Sequence, residues 1–159
     1  MSSTGKTKAS TPALKGASVV VVRTEWNAQI VDELFAGCKK ILSANKISFK
    51  DFIVPGAVEI PFAINKIWSE SKKNKPDAFI ALGCVIRGDT PHFEYVCRAV
   101  TDGISSLNLK LPVPIIFGVL TVDHPDQAIE RIGGIHGHKG EEAAEASIKM
   151  ISFSRSLPK

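Results

Sequence analysis

The stretch GCVIRGDTPHFEYV, Gly83 to Val96, sets an aspartate, a threonine, a proline and a histidine between two apolar segments. Thr90 is a good N-cap by type and Pro91 a good first helical residue, so a helix starts here. Gly88 lets the backbone turn tightly or lets a ligand approach it. Free amides at a helix start attract anions. The Asp89 carboxylate is compatible with an anion only if it points away. The same four residues also read as a plain helix start. His92 lies in the first turn, where the positive helix end favours the neutral imidazole that can accept a proton. A capping or surface histidine is the plainer alternative.

Other joints carry further candidates. Trp26 follows the apolar run SVVVV and can stack on a flat ring or serve as a core or interface aromatic. Glu59 follows Pro55-Gly56 and can accept hydrogen bonds from hydroxyls, or simply favour a helix start through its charge. Arg131 stands before Gly133-Gly134, suited to clamp a phosphate or to satisfy the last carbonyls of a short helix. Arg87 reads equally well as a structural ion-pair partner. His124, His136 and His138 are weaker candidates, and no Cys or carboxylate cluster completes a metal site with them.

Side chains of these types act together only if the fold gathers them. Ala17 to Arg23, Ile47 to Val54, Ala78 to Ile86 and Ile115 to Val122 are apolar runs of strand length. Between them, Ile30, Leu34, Cys38 and Leu42 mark one helical stripe. Ile60, Ile64, Ile67 and Trp68 mark a second, with Pro61 in its first turn and Trp68 in the core. Val96, Cys97, Val100, Ile104 and Leu107 mark a third. A short helix near Asp126 to Arg131 and a last one from about Glu141 to Ser154 follow. This alternation predicts an α/β fold, a three-layer α/β/α sandwich around a four-stranded parallel sheet, with strands apolar on both sides. In such a sheet the loops after the strands share one edge, where ligands bind. The candidate joints are those loops.

The bulk numbers bound the alternatives. The chain has 159 residues, 44% apolar and 23% charged, which suits one globular domain. We expect a flexible arm over residues 1 to 12, rich in Ser, Thr and Lys, and a single domain over 13 to 159. No apolar run reaches membrane-span length. Cys38, Cys84 and Cys97 form no CxxC pair and read as free buried thiols in a reducing, cytoplasmic setting. The net charge of +4 comes without any nucleic-acid module, so no nucleic-acid partner is expected. There is no GxGxxG after the first strand and no GxxxxGK[ST], which disfavours dinucleotide and P-loop readings.

Taken in order, "EWN", "VPGAVEIP", "GCVIRGDTPHFEYV", "FGVLT" and "QAIERIGG…HKG" resemble the 6,7-dimethyl-8-ribityllumazine synthase family over about Gly16 to Ser154. The resemblance implies a flavodoxin-like fold and a cofactor-free transferase. That enzyme joins 5-amino-6-(D-ribitylamino)uracil to 3,4-dihydroxy-2-butanone 4-phosphate in the penultimate step of riboflavin biosynthesis. It implies that Trp26 and Asn27, Ala57, Val58 and Glu59, and Cys84, Val85 and Ile86 hold the pyrimidine and its ribityl chain. Gly88, Asp89 and Thr90 would form the phosphate turn, and His92 would transfer protons. Phe117, Arg131 and nearby Lys139 would reach the site from a neighbouring subunit. Glu25, Asp89 and His138 depart from the commoner family residues. The family forms pentamers, some packed twelve to a hollow icosahedral shell, and the short turn Ile132 to Gly140 favours the shell. Riboflavin synthase is an implied partner. A non-catalytic flavin- or lumazine-binding protein, or a shell protein with a vestigial pocket, is the alternative. The joint presence of His92 and Arg131 favours the enzyme.

Overall fold

β-Branched and apolar runs form the inner strands of the computed structural model, which describes residues 14–159. β1 (Ser18–Thr24) and β3 (Ala78–Ile86) lie at the centre and are buried along most of their length. β2 (Ser48–Val54) pairs with β1, and β4 (Ile115–Val122) with β3. All pairings are parallel and the order is β2-β1-β3-β4. This is the flavodoxin-like arrangement, with helices in the crossovers.

Two helical layers cover the sheet. α1 (Ala28–Ala44) and α5 (Lys139–Ser156) pack on one face, and α2 (Ile60–Glu70) and α3 (His92–Lys110) on the other. The two-residue period of β1 separates the two cores. Val19 and Val21 point to the α1/α5 side, Val20 and Val22 to the α2/α3 side. Small residues let the α1/α5 layer close. A Cβ on Gly140 would lie 1.9 Å from the Leu34 carbonyl oxygen, and one on Gly37 would lie 2.1 Å from the His138 ring.

Four expectations need correction. β2 is not apolar on both sides: Phe52 and Ile53 are exposed, because it is an edge strand beyond the reach of the helices centred on β1 and β3. The turn after α4 (Pro125–Ile129) contains a small antiparallel hairpin, β5 (Ile132–Gly134) with β6 (Gly137–His138). Positive φ at Gly133 and Gly137 makes that hairpin possible. Trp68 is half-buried, its outer face covered by the Lys75 ammonium 3.9 Å from the ring centroid. Cys97 is also half-buried, whereas Cys38 and Cys84 are buried thiols. The expected arm over residues 1 to 12 lies outside the described residues. No helix among those described is long and apolar enough to cross a membrane.

Candidate active site

The chain leaves β1 toward β2 on one side and reaches β3 on the other, so the crossovers diverge between β1 and β3. A crevice opens there at the carboxyl ends of the strands. Local hydrogen bonds extend the β1/β2 pairing past the strand ends. The Glu25 amide donates to the Val54 carbonyl at 2.8 Å, and the Trp26 amide to the Pro55 carbonyl at 3.1 Å. Asn27 then takes a left-handed conformation (φ 59°) at the start of α1, which asparagine tolerates better than most residues. Its side-chain amide donates to the Cys84 carbonyl at 2.7 Å. One residue thus ties the loop after β1 to the end of β3.

A cleft of about 420 Å³ lies at this point. It brings together nine of the expected residues: Trp26, Asn27, Ala57, Val58, Glu59, Cys84, Val85, Ile86 and His92. The Trp26 side chain is 64% exposed, with its ring packed against the backbone of Gly56. Ala57–Glu59 is a short 3₁₀ turn leading into α2. Glu59 reaches back so that its Oε2 accepts from the Gly56 amide at 3.0 Å. Its other oxygen accepts nothing from the described residues. Burial pushes the Cys84 thiol up to about 11, so it is protonated at neutral pH and poorly suited to act as a nucleophile.

The α3 joint is braced from outside the cleft. α3 begins at His92, one residue later than expected: Pro91 and not Thr90 stands at its N-cap, without a side-chain cap, and the Thr90 hydroxyl just before it accepts only a long 3.4 Å bond from the His92 amide. Arg87 follows its structural reading. Its guanidinium donates to Asp123 at 2.7 Å and to Glu94, and it stacks 4.2 Å from the Phe93 ring centroid. Hydrogen bonds to Asp123 and then Glu94 hold the Arg87 pKa above its ordinary value. Arg87 in turn holds both carboxyls below their usual range.

Other expected residues lie apart. Gly88, Asp89 and Thr90 are exposed beside the cleft and do not line it. Gly88 lacks a positive φ and a Cβ there would touch nothing, so the turn itself does not require glycine. Phe117 and Lys139 line a second hollow of about 290 Å³ against β4, and the Lys139 ammonium pairs with Glu142 at 2.9 Å. Arg131 donates to the Gln127 carbonyl at 2.7 Å, which is its helix-end reading. His136 sits 3.7 Å from Glu130, and His138 accepts from the Glu141 amide at 3.3 Å as the N-cap of α5. No metal-binding cluster occurs among the described residues.

Three further cleft residues, Thr24, Gly56 and Val96, lie in the joints and motif that the sequence singles out but were assigned no role there. Val96 stands one helical turn after His92, a spacing that puts it on the same face. Thr24 ends β1 with its hydroxyl donating to the Trp26 carbonyl at 3.2 Å.

The sequence pattern of the family described as 6,7-dimethyl-8-ribityllumazine synthase matches residues 16–155. The chain is 43% identical over 148 residues to the 6,7-dimethyl-8-ribityllumazine synthase of Parabacteroides distasonis, with 91% of each chain covered. It is 42% identical over 149 residues to that of Porphyromonas gingivalis, covering 92% of this chain and 91% of the relative. Against the protein of the same name from Bdellovibrio bacteriovorus it is 44% identical over 141 residues, covering 88% of this chain and 76% of the relative.

Proposed function

The chain belongs to the 6,7-dimethyl-8-ribityllumazine synthase family, and we propose that its β1–β3 cleft carries out that family's reaction. The reaction is the condensation of 5-amino-6-(D-ribitylamino)uracil with 3,4-dihydroxy-2-butanone 4-phosphate in riboflavin biosynthesis. The observation that carries this reading is one cleft with three kinds of wall. It has an exposed aromatic face (Trp26), a carboxylate beside a short turn (Glu59), and a histidine at a helix start (His92).

In this reading the pyrimidine stacks on Trp26, with Asn27 and Cys84 to Ile86 along its edge. Ala57, Val58 and Glu59 hold the ribityl chain, Glu59 accepting from its hydroxyls. Gly88, Asp89 and Thr90 receive the phosphate. The substrate amine attacks the ketone to give a carbinolamine, which loses water to form an imine. Phosphate is eliminated, the resulting enol tautomerises to a ketone, and the ribitylamino nitrogen attacks that ketone to close the ring with loss of a second water. Each step moves a proton, and His92 is placed to give and take them. Holding two substrates in register supplies much of the acceleration. Arg131 and the amides at the start of α3 stabilise the departing phosphate.

Phe117, Arg131 and Lys139 serve the site of an adjacent copy of the chain. That they do not line the cleft of their own chain supports this division. The assembly is a pentamer, and the short hairpin before α5 favours the closed shell. The protein works in the cytoplasm, without a cofactor, and riboflavin synthase takes its product.

The test mixes the purified protein with both substrates and follows lumazine fluorescence above the uncatalysed background. Clear acceleration is expected. No acceleration by an intact, assembled protein would reject the enzymatic reading.

A further inference from the structure

We infer that Gly56 is a positioning residue that sets the Trp26 ring and the Glu59 carboxylate together, an inference resting on the reading of the cleft given above. Gly56 is buried and extended (φ −144°, ψ −179°), a conformation open to any residue, so backbone freedom does not explain a glycine there. Space does. A Cβ at Gly56 would lie 2.5 Å from both Cε3 and Cζ3 of Trp26 and 3.1 Å from Oε2 of Glu59. Carbon atoms do not approach to 2.5 Å without something moving. The backbone beneath the ring is fixed by the bond from the Trp26 amide to the Pro55 carbonyl at 3.1 Å. The Gly56 amide meanwhile donates to Glu59 Oε2 at 3.0 Å. The missing side chain is therefore the seat of the stacking ring, and the adjoining amide is the anchor of the hydroxyl acceptor.

Gly56→Ala must displace the ring. Trp26 is 64% exposed, so the ring can move outward without opening the core. We expect an unchanged unfolding temperature and a KM for the ribitylaminouracil raised about tenfold, the order of one lost aromatic stack. The KM for the butanone phosphate stays unchanged. In a Trp26→Ala background, Gly56→Ala adds little to the uracil KM. Equal penalties in both backgrounds, or an unchanged uracil KM, would overturn the inference. If Gly56→Ala alone does not fold, the Trp26→Ala/Gly56→Ala double variant decides: folding restored supports the contact, and folding still lost refutes it. A readout independent of catalysis comes from Trp68→Phe protein, where Trp26 is the sole tryptophan. Acrylamide quenching of Trp26 should rise on Gly56→Ala, and unchanged quenching would refute the displacement. Wild-type protein that fails to accelerate the reaction would reject the functional reading, and the quenching result would then decide the role of Gly56 by itself.

Discussion

At the residue scale, the cleft holds few groups able to move a proton. Cys84 is kept protonated by burial, and Glu59 already has one oxygen engaged by the Gly56 amide. In the proposed mechanism that leaves His92 for general acid–base work, and it is exposed at the mouth of the cleft. His92→Ala should lower kcat by about two orders of magnitude, the usual worth of one positioned acid–base group. The KM values should move little, because stacking and phosphate contacts survive. Steady-state kinetics with each substrate varied in turn checks this, and unchanged turnover would remove His92 from the mechanism. Trp26, Glu59 and His92 were legible in the sequence because each sits just after a strand, where the parallel sheet gathers its loops. Gly56 was not legible as a site residue. Its requirement lies in contact with a ring far away in the chain, and a glycine after a proline reads as an ordinary turn. Arg87 and Arg131 each offered two readings by type, and only hydrogen-bond partners could separate them.

At the element scale, long apolar strands announce themselves. Ala78–Ile86 and Ile115–Val122 have the same bounds in the sequence reading and in the fold. The β5–β6 hairpin escaped because strands of three and two residues carry no period to read. The exposure of β2 escaped because composition does not say which strand takes the edge. Close helix contacts are equally silent, and they matter energetically. Gly140 lies against the Leu34 backbone, which cannot swing aside as a side chain can. Gly140→Ala should cost about 3 kcal/mol of stability, toward the upper end for overpacking, measured by denaturant unfolding. A cost within error of zero would mean that α1 and α5 separate freely. The α3 joint makes a different prediction. Arg87 holds Glu94 and Asp123 below their usual range, so the folded chain protonates these carboxyls less readily than the unfolded chain. Their stabilisation is present above the unfolded values of about 4 and is lost as pH falls through the lower folded values. Removing the guanidinium with Arg87→Gln should flatten that acid limb of the unfolding-temperature profile. Profiles of unchanged slope would show that the brace contributes nothing to the fold.

At the scale of the whole molecule, a single chain presents Trp26 and His92 in one cleft and Phe117, Arg131 and Lys139 elsewhere. Arg131 donates to the Gln127 carbonyl and lies 3.7 Å from the Glu130 carboxylate, yet its side chain is only half-buried, which in the proposed assembly leaves it open to an anion on another copy. If one copy's β4 and hairpin complete its neighbour's cleft, the interface is head-to-tail, which gives the proposed ring where the rotation between copies closes. The sequence could suggest this only through family resemblance, since no local pattern states which residues serve a different chain. Complementation tests it directly. His92→Ala and Arg131→Ala proteins are each expected to be poorly active, the first in kcat and the second in KM for the phosphate substrate. Dissociated, mixed in equal amounts and reassembled, they should form rings in which roughly a quarter of the sites combine an intact His92 with an intact neighbouring Arg131. Activity should rise to about that fraction of wild type, while each variant reassembled alone stays low. Light scattering on the same samples must show mixed assemblies of at least about five chains. Mixed assemblies without recovered activity would place both residues in one chain's own site. The cleft would then have to close over Arg131 by a movement of α4 and the β5–β6 hairpin instead of by subunit contact.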